Sequence, residues 1–98
     1  MCTREQCIER LRESAPYIRQ EFGVESMCLF GSMARGDNRE DSDVDVCVSM
    51  PPKAFKLVSL KDFLQHLLGV AVDVVRRTPR LDPFLLSEIE RDGVSIFS

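Results

Sequence analysis

Apolar residues recur along the chain with two different periods, one typical of helices and one typical of strands. Near the N-terminus the period is helical, with apolar side chains at Ile8, Leu11, Ala15, Ile18 and Phe22. Thr3 and Gln6 fit a capping box that begins this segment. Pro16 predicts a break between Ser14 and Pro16, because proline has no amide proton to donate. Gly23 is placed to end the helical segment.

The rest of the chain alternates predicted strands with predicted helices. Strands are predicted over 24–30, 44–50, 70–75 and, at the terminal edge, 94–97. A helix over 54–68 has a predicted buried side of Phe55, Val58, Leu60, Leu64, Leu67 and Leu68. Ser59 and Asp62 could instead begin that helix one turn later. A last helix starts at Asp82-Pro83 and directs Leu85, Leu86 and Ile89 to the core.

This order predicts an α/β (α+β) fold. We expect a mixed sheet of three to four strands, with helices packed on one face and the other face open. At 98 residues, the chain is expected to form one domain over residues 1–98, too short for a second substrate-binding domain.

Composition narrows the possible classes of function. A net charge of −3 argues against extended nucleic-acid binding, which needs a basic face. No apolar run is long enough to cross a membrane, and the charged N-terminus does not resemble a signal peptide, so a cytoplasmic location is expected. The four cysteines show no zinc-binding spacing, and reduced thiols are favoured over disulfides; they are Cys2, Cys7, Cys28 and Cys47.

The most informative stretch runs from residue 30 to residue 48. Within it, three valines alternate with Asp43 and Asp45, so the two carboxylates share one face of a strand and lie about 7 Å apart along it. Carboxylates on one face repel each other unless a positive charge lies between them. Because Mg²⁺ prefers oxygen ligands and often accompanies nucleotide phosphates, the pattern indicates a magnesium site.

The string Gly-Ser-x-Ala-Arg-Gly followed by Ser-Asp-x-Asp resembles the signature of the nucleotidyltransferase superfamily related to DNA polymerase beta. Its minimal nucleotidyltransferase branch is the most similar, as the Gly31-Ser32 turn and the ten-residue gap before Asp43 indicate. The resemblance implies a third acid on a later strand, and Asp73 is in position to supply it. An alternative for Asp73 is a salt bridge to a nearby arginine: Arg76, Arg77 or Arg35.

Other residues near the motif are weaker candidates. Gly31 and Ser32 are predicted to bind phosphate oxygens, although an isolated Ser after Gly usually caps a helix. Arg35 could contribute charge near the triphosphate or could equally stabilise the loop. Ser42 is predicted to help bind the nucleotide by fixing the return of the charged loop to the strand. For four further residues we favour a solvated surface position: His66, Arg76, Arg77 and Arg80.

The resemblance implies two-metal nucleotidyl transfer. In this mechanism ATP is the substrate, and Asp43, Asp45 and Asp73 hold two Mg²⁺ ions. Asp73 is also a candidate for the general base. Free-standing minimal nucleotidyltransferases of this size resemble antitoxins that neutralise a HEPN-type ribonuclease toxin by adding AMP to one of its tyrosines, so a HEPN partner is expected.

Two other functions stay open on the sequence. One is a non-catalytic antitoxin, a binding module that blocks its partner by occupying a surface. The other is a small-molecule adenylyltransferase of the aminoglycoside-modifying kind. Those enzymes carry an additional helical domain that this chain lacks, so an oligomeric neighbour would have to complete the pocket.

Overall fold

The computed structural model describes residues 3–37 and 43–98, and all the predicted elements are found in the predicted order. The elements are α1 (Arg4–Glu13), α2 (Ala15–Phe22), β1 (Ser26–Phe30), α3 (Gly31–Arg35), β2 (Val44–Ser49), α4 (Ala54–Leu68), β3 (Val72–Arg76), α5 (Pro83–Asp92) and β4 (Val94–Phe97). Strands β1 and β3 each begin two residues later than the apolar pattern predicted.

The four strands form one mixed sheet in the order β3-β2-β1-β4. Strand β1 pairs antiparallel with both β2 and β4, whereas β2 and β3 are parallel. Helix α4 makes the crossover that a parallel pair requires. The predicted fold class is confirmed, and so is the position of β4 at an edge.

The two N-terminal helices have the predicted boundaries. Thr3 and Gln6 form the capping box at the start of α1. Pro16 lies in the first turn of α2, where its missing amide proton leaves no helical hydrogen bond unmade. Gly23 ends α2 in the left-handed conformation, and its amide donates to the Arg19 carbonyl.

Helix α4 has the predicted ends but a different buried side. Leu60, Leu64 and Leu68 are buried against the sheet as expected, and Gly69 ends the helix. Phe55 and Val58, however, are 89% and 69% exposed, so their predicted burial was wrong. The alternative start of α4 near Ser59 is also excluded by the observed helix.

The core has two parts, one on each face of the sheet. The larger part joins α1, α2 and α4 to the valine face of the strands, where Val44, Val46 and Val48 are fully buried. A smaller cluster on the opposite face packs Ile89 of α5 against Phe30 and Cys47. The expectation of helices on one face and an open second face was wrong for α5, because its Ile89 packs on part of the face that carries the acids.

Two further expectations concern cysteines and membranes. Cys7, Cys28 and Cys47 are reduced thiols, as expected, and Cys2 lies outside the described residues. In the part of the chain that the structure describes, no helix combines the length and the apolar character needed to cross a bilayer.

Candidate active site

The Gly31-Ser32 turn lies directly against one of the predicted acids. Gly31 begins α3 with φ at 78°, a left-handed conformation that glycine adopts without strain. A Cβ atom on Gly31 would overlap Asp45 Oδ2 and would lie 3.2 Å from Asp45 Cγ. Glycine is therefore needed here for two reasons, the backbone conformation and the approach of the Asp45 carboxylate.

Ser32 is the second residue of α3, not its N-cap, because Phe30 occupies the cap position. The Ser32 carbonyl accepts from the amides of Gly36 and Asp37 at 2.9 and 3.1 Å, which closes the short helix. The helix-cap alternative for the Ser32 side chain therefore does not hold.

Asp45 is the central acid of the site. Its antiparallel partner across β1 is Phe30, the residue before Gly31, and its parallel partner across β3 is Asp73. Asp43 lies immediately before β2 and, like Asp73, is exposed. The register thus brings the turn and two strand acids together from segments that are far apart in sequence.

The pKa of Asp45 is raised to about 6, chiefly by burial and also by three nearby negative charges. The largest electrostatic contribution comes from Asp73, followed by Asp43 and then Glu88, while the guanidinium of Arg35 acts in the opposite direction. The charges of Asp73 and Asp43 therefore act on Asp45, and this repulsion at Asp45 favours a bound cation.

Among residues 3–37 and 43–98, however, no group of three or more His, Cys, Asp or Glu side chains is assembled as a ready-made metal site. Mg²⁺ is usually held by one or two carboxylates together with substrate phosphates and water. Asp45 and Asp73, as cross-strand neighbours, provide the hard oxygen donors that such a site requires.

Arg35 joins the turn to helix α5. Its guanidinium contacts Asp37 at 3.1 Å, Glu88 at 3.3 Å and Asp92 at 3.7 Å. These contacts support the loop-stabilising alternative for Arg35. The positive charge of Arg35 also offsets part of the rise in the pKa of Asp45. Glu88 was missed by the sequence analysis because it is 53 residues from Arg35 and carries no motif.

The other candidates lie elsewhere or cannot be placed. The exposed His66 contacts the Asp62 carbonyl through its ring at 2.9 Å, as expected of a solvated helix residue. Arg76 pairs with Val48, at the opposite end of the strands from the acids. Within the described ranges, no ion pair joins Asp73 to the arginines proposed as its alternative partners. Ser42 lies outside the described residues.

The mixed sheet places a glycine turn against Asp45 and sets Asp73 on the neighbouring strand, as the resemblance to the nucleotidyltransferases predicts. Residues 11–96 match the family profile described as "Nucleotidyltransferase domain", and the chain belongs to that family. The resemblance to the minimal nucleotidyltransferases is thereby confirmed, and the protein is a nucleotidyltransferase.

Two comparisons above 30% identity cover most of this chain. The protein adenylyltransferase MntA of Thermococcus cleftensis is 38% identical over 80 residues, which are 80% of this chain and 81% of that protein. A solved structure assigned to the minimal nucleotidyltransferases is 34% identical, with a TM-score of 0.78, and covers 95% of each chain.

Two more distant solved structures share the fold. A toxin–antitoxin structure with AMP-PNP has a TM-score of 0.72 at 19% identity and covers 89% of this chain and 73% of that one. The MNT antitoxin in complex with a tri-AMPylated Shewanella oneidensis HEPN toxin has a TM-score of 0.66 at 16% identity, and the match covers 93% and 72% of the two chains.

Proposed function

We propose that this chain is a Mg²⁺-dependent protein adenylyltransferase that moves AMP from ATP to a tyrosine hydroxyl of a HEPN-type ribonuclease toxin, and so acts as its antitoxin. The observation that carries this proposal is the placement of Asp45 between Gly31 on one side and Asp73 on the other. A phosphate bound at the turn would lie beside both carboxylates.

The identity of the nucleotide is supported by the comparisons. The relative in Thermococcus cleftensis is a protein adenylyltransferase, and a structure with the same fold was solved with AMP-PNP, an ATP analogue. We therefore assign ATP as the substrate, with its phosphates near Gly31 and Ser32. We assign Arg35 a supporting role, in which its contacts with α5 hold this turn in place. It is not assigned to direct phosphate binding.

Three aspartates are assigned to the metal: Asp43, Asp45 and Asp73. Bound Mg²⁺ would neutralise charge on the phosphate oxygens and lower the pKa of the acceptor hydroxyl. Asp43 and Asp45 would hold the Mg²⁺ that accompanies the triphosphate, and Asp73 lies on the strand beside Asp45, where it can accept the proton of the hydroxyl. The acceptor oxygen forms a bond to the α-phosphorus, the bond from that phosphorus to the bridging oxygen breaks, and pyrophosphate leaves with the electron pair.

A protein acceptor is supported by the comparisons. The relative in Thermococcus cleftensis is a protein adenylyltransferase, an enzyme that modifies another protein. A HEPN toxin carrying three AMP groups is bound to the MNT antitoxin that has this fold. We assign the same kind of partner here and place the reaction in the cytoplasm, where a ribonuclease toxin meets its substrate.

The test is transfer of radioactive label from ATP to a co-expressed HEPN-type partner. Label at the α-phosphate is expected to reach a tyrosine of the partner in the presence of Mg²⁺, while label at the γ-phosphate is not transferred. Chelation of Mg²⁺, or the substitution Asp43→Asn, should abolish the transfer.

Three outcomes would contradict the proposal in different ways. Transfer of the γ-label would indicate a kinase. An unlabelled partner that still co-purifies with the chain would support the non-catalytic binding module. An unlabelled partner without complex formation would direct the search to small-molecule acceptors.

A further inference from the structure

One large exposed aromatic residue lies on the same side of the sheet as the acids. The exposed large apolar side chains of the described residues are Tyr17, Phe55, Val58 and Phe84. The first three belong to α2 and α4, which pack on the valine face. Phe84 belongs to α5, on the face of the acids, and is 79% exposed.

The contacts of α5 define which of its sides faces the turn. Leu85 and Ile89 point down into the small cluster on the sheet. Glu88 and Asp92 point sideways to Arg35 of α3. The opposite side of α5 carries Glu90. Together with Ser49 and Arg77, it lines a pocket at the ends of the strands that lie away from the acids.

Phe84 lies on the side that faces the acids. It precedes Glu88 by four residues, so the two side chains are neighbours one turn apart on the helix surface. The charge of Glu88 contributes to the raised pKa of Asp45, which places this side of α5 within electrostatic reach of the site.

The position of Phe84 along α5 also brings it close to the third acid. The adjacent Leu85 packs in the same cluster as Val75 of β3. Asp73 points to the same face of β3 as Val75, two residues nearer the site. These relations place Phe84 in the first turn of α5, next to the part of the helix that packs near β3, the strand that carries Asp73. The Phe84 backbone is fixed there by Asp82, whose carboxylate accepts from the Phe84 amide at 2.8 Å.

We propose that Phe84 is the stacking platform for the base of the nucleotide bound at the aspartates. The proposal rests on the proposed function, because the base can reach Phe84 only from a nucleotide whose α-phosphate lies beside Asp45. An exposed phenylalanine offers a flat apolar surface, and a base stacked on it removes apolar area of both groups from water.

The chemistry of such a contact predicts a particular selectivity. Stacking makes no hydrogen bonds to base edges, so it distinguishes bases by ring area and tolerates changes in their polar groups. Phe84 would thus favour purine over pyrimidine nucleotides and would discriminate weakly between ATP and GTP.

The test compares two ligands that share a triphosphate but differ in the base. Binding of ATP and of inorganic tripolyphosphate is measured calorimetrically in Mg²⁺ for the wild type, Phe84→Ala, Phe84→Tyr and the matched control Phe55→Ala. Phe55 is an equally exposed phenylalanine on the opposite face of the molecule. Phe84→Ala is expected to weaken ATP binding by about 5- to 100-fold. Tripolyphosphate should bind Phe84→Ala and the wild type alike, and Phe84→Tyr should retain ATP affinity.

The possible failures are distinguishable. Unchanged ATP affinity in Phe84→Ala would overturn the stacking role, as would an equal loss for both ligands. Normal ATP binding with a loss of transfer to the partner would assign Phe84 to the acceptor surface instead. A wild-type protein that binds neither ligand in Mg²⁺ would overturn the proposed function itself.

Discussion

At the scale of single residues, the site is organised around the contact between Gly31 and Asp45. The glycine belongs to the turn after β1 and the acid belongs to β2, and their contact leaves no room for a Cβ atom. Hydrophobic periodicity would place both residues at strand ends without linking them. Their contact explains why a glycine precedes the serine in this turn.

Substitution of Gly31 by alanine should therefore affect both stability and transfer. Left-handed backbone costs a non-glycine residue about 1–2 kcal/mol, and displacement of the Asp45 carboxylate adds to this. Gly69→Ala is the matched control, since Gly69 has φ at 73° but open space around it. Denaturant unfolding should show a loss in both variants, whereas activity should fall only in Gly31→Ala. An active Gly31→Ala protein would show that the contact with Asp45 is not needed for function.

The raised pKa of Asp45 predicts a specific pH dependence of stability. Between about pH 4 and pH 6, folded Asp45 keeps a proton that the unfolded chain has lost, so stability falls as the pH rises through this window. Asp45→Asn cannot ionise and should therefore be more stable than the wild type at pH 7.5 in the absence of Mg²⁺. The gain should disappear near pH 4.

Thermal or denaturant unfolding across this pH range measures the effect directly. Asp43→Asn is the control, because Asp43 is exposed and only one contributor to the repulsion at Asp45, so its gain should be smaller. A wild-type protein more stable than Asp45→Asn at pH 7.5 without Mg²⁺ would contradict the electrostatic account of the site.

At the scale of elements, helix ends were easier to predict than helix faces. The ends of α4 follow from local chemistry, because prolines precede it and Gly69 stops it in the left-handed conformation. Its buried side depends on the sheet beneath it. Apolar residues occur all around the first two turns of α4, so periodicity alone could not exclude Phe55 and Val58 from the core.

The corrected face of α4 predicts unequal effects of alanine substitution. Leu64→Ala removes a fully buried side chain and should lower the free energy of unfolding by about 2–5 kcal/mol. Val58→Ala removes an exposed side chain and should change it by no more than about 0.5 kcal/mol. Denaturant unfolding of the two variants gives the comparison, and equal losses would mean that α4 is rotated from the described orientation.

At the scale of the whole molecule, the motif was predictable and its surroundings were not. The turn and the acids are close in sequence, or fall on predicted strands, so their meeting follows from strand pairing. Helix α5 is different, because nothing local indicates that it crosses the acid face and brings Glu88 within 3.3 Å of Arg35. The proposed contact of Phe84 with the base depends on the same packing and not on a motif.

The central claim is that three aspartates from two neighbouring strands carry out nucleotidyl transfer. The most direct test is the rate of AMP transfer from ATP to the HEPN-type partner by the wild type, Asp43→Asn, Asp45→Asn and Asp73→Asn. Asp62→Asn serves as a control, since Asp62 is an exposed acid on α4, away from the site. Each site variant should fold and lose transfer by a factor above about 10², whereas Asp62→Asn should match the wild type. Normal transfer by any one of the three site variants would contradict the assignment.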